Sequence, residues 1–250
     1  MIEARIKSED LKKLSKKGNG TEGTIYKASK GILYKVYRTG LDTPVSFNKG
    51  SYSVQNIIEA ASRQPLIKHS TLPLGPLYID GKFAGCLLKY HRGYINIHNI
   101  GILPKKLKLS IIRKIIMYVK ELTDNHIYPL DLANKKGVGN QHSNILISLS
   151  GDIQIIDLDG RSTQYTSEFN QTYYEMSLCS LLSLLTDLLF DIEYVIGDTE
   201  DEELEYYAEK LSRNGLSENL VTMIGRQDGI SYEALNQMVD EAEHVKRLVL

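Results

Sequence analysis

Two kinds of hydrophobic pattern divide the chain. Between residues 18 and 90 apolar residues fall in short β-branched or aromatic runs separated by glycine turns, including Thr24-Ile25-Tyr26, Ile32-Leu33-Tyr34 and Leu77-Tyr78-Ile79. Such runs predict the strands of a small sheet. Asp80-Gly81 stands between Leu77-Tyr78-Ile79 and the apolar stretch 83–88, and this dipeptide between two strand-like runs is a strong local signal for a hairpin. One helix interrupts the strands: over 53–63, Val54, Ile57, Ile58 and Ala61 recur at helical spacing, and Pro65 stops the repeat.

From about residue 93 the period becomes helical. Leu107, Ile111, Ile112, Ile115, Ile116 and Val119 make the apolar stripe of a long helix ending near Asn125, with a turn expected at Pro129. A second hairpin is predicted where 144–147 and 153–156 flank Ser150-Gly151-Asp152, and further helices over 177–190, 201–213 and 232–248. The expected class is therefore α+β, with a small β-rich part over 1–91 and a larger helical part over 92–250. The two would be joined near residues 90–93.

Composition narrows the functional classes. The chain has 250 residues, 30 Lys and Arg against 31 Asp and Glu, and a formal charge of −1. No global positive excess points to nucleic acid, so any electrostatic function is local. Cys86 and Cys179 build neither a disulfide framework nor a metal pair, which fits a reducing compartment and makes the cytoplasm the default expectation. The stretch 177–190 is shorter than the ~20 residues needed to cross a bilayer and contains Asp187, so it reads as a core helix, and no membrane span is expected.

Gly18, Gly20 and Gly23 form G-x-G-x-x-G. In a dinucleotide-binding unit such glycines open a helix. Here the sequel, 24–28 and 32–37 about a turn at Gly31, is strand-like, which is the setting of a kinase phosphate loop; an ordinary glycine hairpin also satisfies the motif. Lys35 lies near the centre of the next apolar strand and shares a face with Leu33 and Tyr37. An inward lysine needs an anion; in the kinase arrangement that anion is the nucleotide's phosphate, with a helix glutamate holding the ammonium, for which Glu59 on the predicted helix is the candidate, although a solvent-facing helix glutamate satisfies the pattern as well. Asn144 before one strand of the second hairpin and Asp157 after the other offer the hard oxygens that Mg²⁺ prefers.

Taken in this order, the features resemble the protein-kinase-like superfamily over residues 14–190. The resemblance implies a two-lobed fold in which Gly18, Gly20, Gly23 and Ile25 cover ATP, Ile25 roofing the adenine. It makes Lys35 the phosphate-binding lysine, Glu59 its helix partner, and Lys89 and Tyr90 part of the hinge whose backbone meets adenine. Asn144 and Asp157 become the Mg²⁺ ligands. The catalytic loop departs from H-R-D-x-x-x-x-N, because the position five before Asn144 is Gly139. The nearest match is Pro129-Leu130-Asp131-Leu132, which makes Asp131 the candidate base, thirteen positions before Asn144 with an insertion that includes Lys135 and Lys136. Asp157-Leu158-Asp159-Gly160 stands where D-F-G would, a form similar to atypical bacterial lipopolysaccharide and small-molecule kinases, and it leaves open which aspartate is the main ligand.

The implied activity is ATP- and Mg²⁺-dependent phosphoryl transfer to a hydroxyl acceptor, a protein or a small molecule. A pseudokinase acting as a nucleotide-binding module is the alternative, and adenylyl transfer a third reading. No A-P-E follows Asp157 before the next helix, so control by phosphorylation of a long activation loop is not expected. The 131–144 insertion, with its glycines and Lys135 and Lys136, is expected to be exposed and to shape acceptor access.

Overall fold

The computed structural model describes residues 1–19, 23–29, 31–38, 53–97, 103–132, 143–159, 163–192, 200–226 and 229–245. Gly20 and the inserted Lys135 and Lys136 lie outside them. In chain order the elements are β1 (Ala4–Ile6), α1 (Ser8–Leu11), β2 (Ser15–Asn19), β3 (Gly23–Ser29), β4 (Ile32–Tyr37), α2 (Val54–Arg63), β5 (Gly75–Ile79), β6 (Lys82–Lys89) and β7 (Tyr94–Asn96). They continue with α3 (Lys105–Asp124), β8 (Ile127–Pro129), β9 (Ile145–Ser148), β10 (Ile153–Ile155), β11 (Thr163–Tyr165), α4 (Gln171–Phe190), α5 (Glu200–Arg213), α6 (Glu218–Ile224) and α7 (Tyr232–His244). The fold is thus mixed α and β. None of the helices among the described residues is long and apolar enough to cross a membrane.

The chain divides into two compact units, Met1–Tyr94 with Gln154–Ser167, and Ile95–Ile153 with Glu168–Leu250. The division expected from the sequence was a single cut after residue 91; the first unit is instead discontinuous and takes back a later stretch.

In the first unit a six-stranded sheet has the order β1-β5-β6-β4-β3-β2. Only β1 and β5 run parallel; the other neighbours are antiparallel, as hairpins require. The Asp80-Gly81 turn is present as expected, with Ile79 opposite Lys82 and both turn residues at positive φ, 49° and 79°. That geometry matches the right-handed twist of the strands it joins. Helix α2 starts at Ser53, whose hydroxyl accepts from the Asn56 amide at 3.1 Å, and a 3₁₀ turn carrying Pro65 follows it. Its apolar face, Ile57, Ala60 and Ala61, is buried and packs on β5. Neither β1 nor α1 was expected from the sequence.

The second unit is mainly helical. Helix α3 buries Leu109, Ile112, Ile115, Ile116 and Val119 and packs against α4 and α7. It ends at Asn125, and the turn that follows is made there and at His126, whose φ is 57°. Pro129, where a turn was expected, is the last residue of β8. Helix α4 begins at 171 rather than 177, because Asn170 caps it by accepting from the Tyr173 amide at 3.0 Å, and it stops at Asp191 in the left-handed region, φ 53°. Leu178, Leu181, Leu182, Leu185 and Leu189 on α4 are fully buried, so this stretch is a core helix.

Candidate functional site

Three strands of the first unit bring one row of side chains together. Ile25 on β3 lies opposite Lys35 on β4, which lies opposite Cys86 on β6. Directly opposed residues share a face, so Lys35 stands among apolar neighbours and is only 5% exposed. A buried ammonium demands paired counter-charge. Two aspartates from the stretch after β10 provide it: Lys35 Nζ donates to Asp157, and to Asp159 at 3.1 Å for Oδ1 with Oδ2 at 2.9 Å.

Asp159 is the deeper of the two, 1% exposed, whereas the Asp157 side chain keeps 30% of its exposure. The hydroxyl of Tyr37, one alternation along β4 from Lys35, donates to Asp159 Oδ2 at 2.9 Å, and Cys86 Sγ lies 3.7 Å from the same oxygen. Burial, reinforced by the Asp159 charge, raises the pKa of the Tyr37 hydroxyl well above its ordinary value and does the same to the Cys86 thiol, so both stay protonated donors. The backbone between the aspartates is held as well, since Tyr165 OH donates to the Leu158 carbonyl. Asp157 itself has φ 63°, a left-handed conformation uncommon outside glycine but better tolerated by Asp than by most residues.

Glu59, the expected partner of Lys35, is engaged elsewhere. Its carboxylate accepts from Arg63 Nη2 at 2.5 Å, and the same guanidinium donates to the Thr166 carbonyl at 2.8 Å. The spacing explains the difference: residues four apart on a helix are neighbours, so Arg63 on α2 reaches Glu59 without any tertiary adjustment. This corrects the expected Lys35–Glu59 pair.

Among the glycines, Gly18 lies in β2 beside a register shift and has open space around it, whereas a Cβ at Gly23 would overlap the Val36 carbonyl. Gly23 is thus required by the close approach of β3 to β4. Lys89 ends β6 and is exposed; the Tyr90 amide donates to the Gly31 carbonyl at 2.9 Å, and Lys27 Nζ sits 5.8 Å from the Tyr90 ring centre. The next residue, His91, pairs through Nε2 with Thr71 Oγ1 at 2.5 Å and meets Tyr94 edge to face.

Burial, with a smaller contribution from Lys89, lowers the His91 pKa to about 4 from an ordinary 6.5. The unfolded chain therefore takes up a proton in a window where the folded ring resists one, and stability is lost as the pH falls from about 6.5 towards 4. His91→Gln should lose less stability than the parent between pH 7 and pH 5, read as the fall in urea midpoint; equal falls would show that His91 does not contribute.

In the second unit the candidate base and one candidate metal ligand are neighbours. Asn144 Nδ2 donates to the main-chain carbonyl of Asp131 at 2.6 Å, and the Asn144 amide donates to the Leu132 carbonyl at 3.2 Å. Helix α4 fixes this segment, because Ser177 Oγ donates to the Pro129 carbonyl at 2.9 Å and Ser180 Oγ accepts from the Leu132 amide at 2.8 Å. Asp131 is exposed. The two serines read from sequence only as members of an apolar run; their function is to carry the Asp131 segment on the core helix.

Asp157 in the first unit and Asn144 in the second each carry a hard oxygen of the kind Mg²⁺ prefers; the Asp157 carboxylate is partly exposed, and the Asn144 side-chain nitrogen is engaged by the Asp131 carbonyl. Among the described residues no group of three or more His, Cys, Asp or Glu gathers as a metal cage. No protein-family model matches the chain, and no curated protein matches it.

Proposed function

We propose that the protein is an ATP- and Mg²⁺-dependent phosphotransferase of the two-lobed, protein-kinase-like kind, acting on a hydroxyl acceptor. The observation that carries this reading is the buried Lys35 ammonium held by Asp157 and Asp159, two carboxylates from the segment immediately after β10. A lysine so placed gives anionic phosphate an ion-pairing partner on an otherwise apolar sheet face. In this reading Lys35 binds the phosphates, Gly18, Gly20, Gly23 and Ile25 cover the nucleotide, and Asp131 accepts the acceptor's proton. Asp157 and Asn144 would hold Mg²⁺, which when bound neutralises charge on the phosphate oxygens. Phosphoryl transfer depends chiefly on position and charge, so this small set of groups suffices. The short segment after Asp157 offers little platform for an extended peptide and favours a small molecule or a specialised protein as acceptor.

A nucleotide-binding module without turnover is the second reading, favoured by the engagement of Glu59 with Arg63. Calorimetry with ATP and Mg²⁺, followed by turnover of γ-labelled ATP in lysate fractions and intact-mass analysis, separates the readings. Mg²⁺-dependent ATP binding with turnover abolished in Asp131→Asn supports the phosphotransferase; binding without turnover supports the module. An AMP adduct supports adenylyl transfer, and absence of ATP binding removes all three.

A further inference from the structure

We propose that Asp159, in place of Glu59, is the residue that positions Lys35 for phosphate, leaving Asp157 as the carboxylate available to the metal. The proposal rests on the phosphotransferase reading and deepens it. Its basis is a division of labour among three carboxylates of the first unit. Asp159 has both oxygens within 3.1 Å of Lys35 Nζ, is 1% exposed, and has its Oδ2 further held by the Tyr37 hydroxyl at 2.9 Å. A carboxylate so enclosed cannot leave its lysine without abandoning those bonds. Asp157 meets the same ammonium, yet its side chain is 30% exposed, so it can exchange the lysine for a cation at its solvent side. Glu59 is held at Arg63, whose guanidinium also anchors the Thr166 carbonyl.

The assignment also accounts for the sequence around the site. Lys35 and Tyr37 alternate onto one face of β4, and Cys86 faces Lys35 from β6. All three meet the Asp159 carboxylate. With Asp159 there, the ammonium keeps a fixed place on the sheet when Asp157 turns to the metal. Ammonium and carboxylate together form a charge-assisted pair that holds its geometry better than a neutral hydrogen bond.

The test measures three affinities by calorimetry: adenosine, ATP in EDTA, and ATP with Mg²⁺. Asp159→Asn should weaken ATP in EDTA about tenfold, keep adenosine affinity at the parent value, and keep the parent ratio between the two ATP conditions. Asp157→Asn should instead remove the gain from Mg²⁺. If Asp159→Asn removes the Mg²⁺ gain, Asp159 is a metal ligand and the proposal is overturned; ATP affinity equal to the parent, or equal losses for adenosine and ATP, overturns it too. Should that variant not fold, Tyr37→Phe takes its place. Deleting the hydroxyl that steadies Asp159 should cost about threefold in ATP affinity with adenosine unaffected, and no loss overturns the proposal. A parent protein that binds adenosine or ATP under none of the conditions defeats the phosphotransferase reading itself, an outcome distinct from all the others.

Discussion

Lys35→Met is expected to destabilise the protein by about 3 kcal/mol, the magnitude typical of removing one partner from a buried ion pair. The uncompensated negative charge that remains costs more than the missing hydrogen bonds. Asp159 would remain 1% exposed with its cation gone, and neither the Tyr37 hydroxyl nor the Cys86 thiol carries a charge to offset it. The parent sequence contains no tryptophan, so urea unfolding followed by far-ultraviolet circular dichroism is the suitable measurement. Combining Lys35→Met with Asp159→Asn should recover part of the loss, because replacing both members of a buried pair removes the stranded charge. A single variant within about 1 kcal/mol of the parent would mean that water reaches the site and that the ammonium behaves as a surface charge.

Gly85→Ala is expected to cost about 2 kcal/mol or more, as overpacking in a closely fitted element does. Gly85 lies opposite Val36 on β4 and Leu77 on β5, and an added Cβ would overlap the Lys35 carbonyl oxygen. That oxygen is backbone in a central strand of the sheet, so it cannot swing aside as a flexible side chain would. β4 and β6 must separate, and Lys35 moves with its strand. The same unfolding experiment reads the stability loss, and calorimetry should show weaker ATP binding alongside it. Parent-like stability would show that the two strands separate without cost at this point.

Local chemistry made much of the fold legible. Asp80-Gly81 specifies its hairpin through two residues that accept positive φ, and Ser53 with Pro65 bounds a helix whose apolar spacing is visible in the sequence. β1 was invisible for the opposite reason. It has three residues, and its parallel partner Leu77-Tyr78-Ile79 lies more than seventy positions away, so no short window contains the pair. Pro129 misled because proline marks turns in isolation, whereas here Asn125 and His126 make the turn and Pro129 closes the strand after it.

The candidate site divides along the same line. Alternation alone puts Lys35 inward. Which carboxylate meets it depends on where the chain returns after β10, which no local pattern encodes. The Glu59–Arg63 pair was within reach of the sequence, since four positions separate them on a predicted helix. Asp159 gave no such signal, because its neighbours Lys35, Tyr37 and Cys86 come from two strands far upstream.

The discontinuous make-up of the first unit has a consequence for biosynthesis. A nascent chain releases β4, with its inward lysine, well before residues 154–167 that bring both aspartates, and 95–153 emerge from the ribosome in between. The N-terminal sheet therefore cannot neutralise its central cation until most of the protein has been translated. A piece expressed as far as Tyr94 would contain all six strands of that sheet yet lack both aspartates, and it would face the cost of burying an ammonium among apolar side chains. Closing the unit is thus a late event in synthesis, and the exposed intermediate before it is the stage at which chaperones would have most to protect.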